Sequence, residues 1–154
     1  MTADPLLPID LAQIDVRATP DLVPFAAPPE NTVSAWNDRE VLWLGPDEWL
    51  VVAKPEAAPT IVRDLEDALS GHHHSTLDVS ANRIVFESID DLDALSSGCG
   101  LDLYPGRWRP GMCAQTLFGQ AQVILHQRDE RTTRIFVRPS FVRYLLDRLG
   151  IVTT

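Results

Sequence analysis

A chain of 154 residues suffices for one domain with a real core and is short for two. Its 45% apolar and 23% charged residues are ordinary for a globular protein, and no apolar run approaches the roughly 20 residues a membrane helix needs. A formal net charge of −9, with no Lys/Arg-rich run, argues against nucleic acid as a partner.

The front of the chain is proline-rich, with Pro5, Pro8, Pro20, Pro24, Pro28 and Pro29. Proline fixes φ and removes a donor, so this stretch is neither a long helix nor a central strand throughout. Residues 11–18, with Leu11, Ile14 and Val16, read as one strand, and 19–30 as an extended loop. Residues 32–36 and 40–44 flank Asn37-Asp38 and have the form of a β-hairpin. Gly45-Pro46-Asp47 makes a second turn into a strand over 48–53.

The period then changes. Ala58, Ile61, Val62, Leu65, Ala68 and Leu69 recur at helical spacing, with Gly71 placed to end the helix. Short strands are expected over 75–80 and 83–87. Asp90 is the expected N-cap of a helix through Leu92 and Leu95 that closes at Gly98. Residues 101–111 form a connection punctuated by proline and glycine. Three strands follow over 113–118, 122–127 and 133–137, then a last helix from Pro139-Ser140. Its buried face is read as Phe141, Tyr144 (or Val142), Leu145 and Leu149. Strands outnumber helices, and the helices separate groups of strands. The fold class is therefore α+β, with mostly antiparallel sheets, ferredoxin-like halves and three helices. The whole of 1–154 reads as a single domain, with 1–30 as a proline-rich N-terminal segment.

Candidate chemistry is sparse. In His72-His73-His74, successive extended residues face opposite ways, so the triplet is a poor chelate and reads as a solvated loop. His126 reads as a cross-strand partner. Cys99 and Cys113 have no linked base or oxyanion donor and read as reduced and buried. Asp90-Asp91-x-Asp93 lacks the glycine and glutamate of a calcium loop, and reads as charge at a helix start. No phosphate-binding glycine loop is present. No catalytic, cofactor-binding or metal residue is therefore assigned.

Aromatic and arginine content in turns is the remaining signal. Trp43 and Trp49 flank one turn and read first as core or corner packing. Arg107-Trp108-Arg109 lies in a connection, where tryptophan and arginine are hot-spot types, and is the candidate partner interface. Lys54 is the sole lysine. The arginine bias suits partner contacts and equally suits a codon bias. The start Met1-Thr2-Ala3-Asp4-Pro5 has neither a basic n-region nor an apolar h-region, so a cytoplasmic location is expected.

Several stretches, in order, resemble the gamma subunit family of heterotetrameric sarcosine oxidase. They are Leu44-Gly45-Pro46-Asp47-Glu48-Trp49-Leu50-Val51 and Leu77-Asp78-Val79-Ser80-x-x-Arg83. Next come Gly98-Cys99-Gly100-Leu101-Asp102-Leu103-Tyr104-Pro105 and Pro110-Gly111-Met112-Cys113-Ala114-Gln115-Thr116-Leu117. Val137-Arg138-Pro139-Ser140-Phe141-x-x-Tyr144-Leu145 completes the set. The resemblance implies the folate-binding fold of the glycine-cleavage aminomethyltransferase. It also implies a complex that oxidatively demethylates sarcosine to glycine and passes the one-carbon unit to tetrahydrofolate. FAD, covalently held FMN, NAD and tetrahydrofolate are then expected on the larger alpha and beta subunits, and zinc on a small delta subunit. The gamma chain is placed against alpha and carries no cofactor. The chain departs from the family at 19–29, where relatives have an alanine- and leucine-rich helical stretch. The alternative is a stand-alone folate-binding or one-carbon-transfer protein, for which Asp78 and Trp108 are the carboxylate and the pterin-stacking aromatic.

Overall fold

The computed structural model of the chain describes residues 6–90, 92–104 and 106–150; Pro5, Asp91 and Pro105 lie outside them. The described residues form two compact units, 10–81 and 6–9 with 82–150. Each has one five-stranded antiparallel sheet. The opening strand β1 (Leu7–Ile9) belongs to the second unit. It was not expected, because Pro8 lies within it. Its place on a sheet edge is where a missing N–H is tolerated.

Unit 10–81 holds β2 (Ala12–Arg17), β3 (Val33–Trp36), β4 (Arg39–Gly45), β5 (Glu48–Ala53), α1 (Ala58–Leu69) and β6 (Ser75–Asp78). The strand order is β3-β4-β5-β2-β6. Trp36 pairs with Arg39 across Asn37-Asp38, and Asn37 takes φ +58, the sign a tight hairpin turn needs at its first position. Strands β5 and β6 are each antiparallel to β2, which lies between them, and α1 joins them. That split β-α-β arrangement is the ferredoxin-like element.

Ile61, Leu65 and Leu69, at i, i+4 and i+8 of α1, are fully buried in a core with Ile14, Val16, Trp49 and Val51. Each such side chain contributes about 1.5–3 kcal/mol by leaving water. Pro59 sits in the first turn, where its absent N–H has no helical acceptor, and Gly71 takes φ +82 just after the helix. The proline-rich segment contains a short 3-10 turn, Pro20–Leu22, and is anchored by Phe25. The Phe25 ring lies 5.4 Å from that of Trp36 and 5.5 Å from that of Trp49. Trp43 and Trp49 are direct cross-strand partners, and Trp49 is buried, as the packing reading expects.

The second unit adds β7 (Ile84–Ile89), α2 (Leu92–Gly98), β8 (Cys113–Phe118), β9 (Ala121–Gln127), β10 (Thr132–Val137) and α3 (Val142–Arg148). Its strand order is β1-β7-β10-β9-β8. Phe86, Leu125, Ile135 and Val137 from the sheet pack with Leu95 of α2 and Leu145 of α3. Leu146 is buried on α3, a position missing from the expected face, while Phe141, Tyr144 and Leu149 are only partly buried. The expected Asp90 cap is also corrected. Asp90 sits at φ +60, two residues before α2 begins at Leu92, and its carboxylate accepts from Arg131 Nε and Nη2 at 3.0 and 2.5 Å. Those hydrogen bonds hold the Asp90 carboxyl below the usual carboxylate range. No helix of the described residues is long and apolar enough to cross a membrane.

Candidate functional site: a displayed loop and a sheet groove

The expected interface triplet lies in the connection from α2 to β8. The N–H groups of Arg107 and Trp108 both donate to Tyr104 O at 3.0 Å, and Gly106 supplies the positive φ of +92 inside that turn. Asp102 holds the loop from the other side, accepting from Tyr104 N at 3.1 Å and pairing with Arg107 Nε at 3.3 Å. The turn sends neighbouring side chains opposite ways. Arg107 and Arg109 are exposed, and Tyr104 is 72% exposed. Trp108 is buried at 6% exposure, and its indole N–H donates to Gln127 Oε1 at 2.8 Å.

Trp108 is therefore an anchor of the loop, buried rather than presented beside the two arginines of the candidate interface. A large apolar ring with one donor finds both a core and an acceptor inward, while the flanking guanidiniums stay in water. The exposed Tyr104, which takes its place beside the arginines, was missed. The Pro105-Gly106 that follows it marks a turn, but an aromatic ring there is as readily packed inward as displayed.

The remaining candidates fall apart in space or are already engaged. His74 Nδ1 lies 2.8 Å from His72 O and Nε2 lies 3.0 Å from Glu66 Oε2. Both acceptors lack a hydrogen, so the doubly protonated ring satisfies both, and the backbone bond, then Glu66, raises the His74 pKa. No cluster among the described residues has the makings of a metal site. His126 is buried and registers with Cys113 and Arg134 on adjacent strands. Both cysteines are free thiols. Cys99 bridges to Phe118, five residues along β8 from Cys113, or roughly 16 Å of strand, which is too far for a disulfide. Asp78 is exposed and its carboxylate accepts from Ser80 N and Oγ at 3.0 and 2.5 Å.

The second unit also carries an open groove of about 280 Å³ on one face of its sheet, with Arg83 and Arg138 on its wall. Gln115, Leu117, Gln122 and Phe136 line it too. Both arginines stand in motifs singled out in the sequence, at the ends of β7 and β10. Their convergence depends on a strand register that a sequence does not display.

Two antiparallel sheets with three helices define the class: an α+β chain with the folate-binding fold of aminomethyltransferases. The glycine cleavage system aminomethyltransferase T from Bartonella henselae has a TM-score of 0.71 at 13% identity, over 96% of this chain and 45% of that one, a likeness of fold alone. The profile of the "Sarcosine oxidase, gamma subunit family" matches residues 17–151, and the chain belongs to that family. The sarcosine oxidase subunit gamma of Corynebacterium sp. (strain U-96) is 35% identical over 71% of this chain and 56% of its own length. That of strain P-1 is 33% identical over 90% of this chain and 75% of its own. In the solved heterotetrameric sarcosine oxidase from Corynebacterium sp. U-96, one chain matches 94% of this one. The match covers 83% of that chain, with a TM-score of 0.82 and 28% identity.

Proposed function

We propose that the chain works as the gamma subunit of a heterotetrameric sarcosine oxidase, contributing surface to the assembly while other subunits perform the chemistry. The observation that carries this reading is the likeness of 94% of the chain to one chain of such a complex. In this reading the assembly oxidatively demethylates sarcosine to glycine and passes the one-carbon unit to tetrahydrofolate, in the cytoplasm. FAD, FMN, NAD and tetrahydrofolate reside on the other subunits, and this chain packs against alpha, with beta and delta completing the complex.

The displayed loop suits that role. Tyr104, Arg107 and Arg109 are hot-spot residue types, held outward by the Trp108 anchor and the Asp102 contacts. The stand-alone folate reading has less support. The Trp108 ring is buried in the core and offers no face for a pterin to stack on.

Co-expression of the tagged chain with the neighbouring large flavoprotein subunits tests the proposal by size exclusion with light scattering and by sarcosine-dependent oxygen consumption. A co-eluting, sarcosine-oxidising complex is expected, weakened by the Arg107→Glu, Arg109→Glu double variant. A chain that stays monomeric with every subunit supplied overturns the reading.

A further inference from the structure

The groove on the second unit's sheet gathers positive charge in a chain with 22 Asp+Glu against 13 Lys+Arg. Among the described residues, none of those that line it is acidic. Register explains the gathering. Val137 pairs with Ile84, so one further step along both strands sets Arg138 against Arg83. Val137 also pairs with Val123, which brings Gln122 beside Arg138, and Gln122 pairs with Leu117. Arg83 and Arg138, just past the paired ends of β7 and β10, therefore share the groove with the cross-strand pair Gln122 and Leu117 in one row. Like charges set directly opposite each other are destabilising in a sheet unless something neutralises them.

Arg83 is half-buried and held by an interaction within the chain. Arg138 is exposed, and its side chain makes no hydrogen bond or ion pair among the described residues, its backbone carbonyl accepting from Phe141 N at 2.9 Å. The groove thus pairs a half-buried arginine with an exposed one. At the far end of the row, Leu117 is 52% exposed on β8, the edge strand, and adds an apolar wall.

We propose that this groove is a docking site for an acidic segment of a partner subunit, whose Asp or Glu carboxylate sits between Arg83 and Arg138 and whose neighbouring apolar side chain covers Leu117. Two guanidiniums offer a carboxylate charge-assisted, fork-shaped hydrogen bonding, and the edge position leaves room for an extended polypeptide. The proposal rests on the subunit reading.

The test measures the affinity of the full chain for its co-expressed large subunits by surface plasmon resonance at low and moderate salt. Arg138→Gln is expected to weaken the complex about tenfold with an unchanged thermal melt, and Arg138→Lys to weaken it less. Leu117→Ser is expected to weaken it independently of salt. A complex that forms equally tightly with Arg138→Gln and Leu117→Ser overturns the groove proposal and leaves the subunit reading standing. A chain that binds none of the large subunits overturns both. Saturable binding of succinate to the free chain, lost in Arg138→Gln while assembly is unaffected, overturns the polypeptide occupant in favour of a small carboxylate.

Discussion

The buried indole N–H of Trp108 donates to Gln127 Oε1 at 2.8 Å, and the same oxygen accepts from Thr133 Oγ1 at 2.6 Å. Gln127 Nε2 donates to Asp129 O at 2.7 Å, and its backbone exchanges bonds with Gly111 and Met112. One amide side chain thus ties the 99–111 loop to β9, β10 and the turn between them. The displayed Tyr104 and Arg107 inherit their positions from this buried anchor.

Trp108→Phe keeps a ring in the core but removes the donor and some volume. Because Thr133 still satisfies Gln127, the expected cost is modest, about 1–2 kcal/mol by denaturant unfolding. Trp108→Ala is expected to cost about 3–5 kcal/mol. Both variants should also release the loop, read as faster hydrogen exchange of the Arg107 and Trp108 amides. An unaltered exchange rate would show that the loop is held by other contacts.

Much of this fold was legible before any coordinates, and the reasons are specific. Ile61, Leu65 and Leu69 repeat at the helical period, and the hairpins carry turn residues between alternating strands, so α1, β3, β4 and β5 lie within a residue or two of expectation. The strand β1 escaped because Pro8 argues against a strand unless its edge position is known. Leu146 escaped because α3 follows a 3-10 turn, Pro139–Phe141, which rotates the helical face relative to a count from Pro139. The inward turn of Trp108 depends on Gln127, nineteen residues away in sequence. The approach of Arg83 and Arg138 to one groove depends on the register between β7 and β10. Neither relationship leaves a local pattern.

Gly98 closes α2 against the end of β8, its carbonyl accepting from Gly119 N at 2.8 Å. A Cβ at Gly98 would lie 2.6 Å from Phe118 Cε2, and the Phe118 ring is itself buried. Gly98→Ala is therefore expected to destabilise the chain by about 1–3 kcal/mol through overpacking. Phe118→Leu should offset part of that cost in the double variant, a coupling measurable by a double-mutant cycle on the unfolding midpoint. Strict additivity would show that the backbone, not the ring, gives way.

Arg39 links three elements of unit 10–81. It is 8% exposed, its Nη2 donates to Asp64 Oδ2 at 2.7 Å, and its guanidinium lies 4.3 Å from the Trp36 ring centroid. Asp64→Ala leaves a buried cation without its carboxylate, whereas Arg39→Met leaves an Asp64 side chain that is 36% exposed and can be hydrated. Asp64→Ala is therefore expected to cost more, about 1–3 kcal/mol, discounted for the partial exposure of the pair. Arg39→Lys should not restore wild-type stability, because an ammonium does not keep both the stacking on Trp36 and the hydrogen bond to Asp64. Thermal melts of the three variants give the order directly.

His74 makes stability depend on pH in a defined direction. Its two ring nitrogens face His72 O and the Glu66 carboxylate, so the charged ring is favoured and its pKa is raised above the ordinary 6.5. A group with a raised folded-state pKa contributes stability fully below its unfolded value and loses it as pH rises through the folded value. The contribution from His74 should thus be complete below pH 6.5 and fade above it. Proton NMR titration of the His74 ring is expected to give a pKa above that of an unstructured histidine. Glu66→Gln removes the charge while leaving an amide oxygen to accept, so the shift should shrink but persist through His72. An unshifted His74 in the wild-type chain would show that the loop does not hold the ring between these two acceptors.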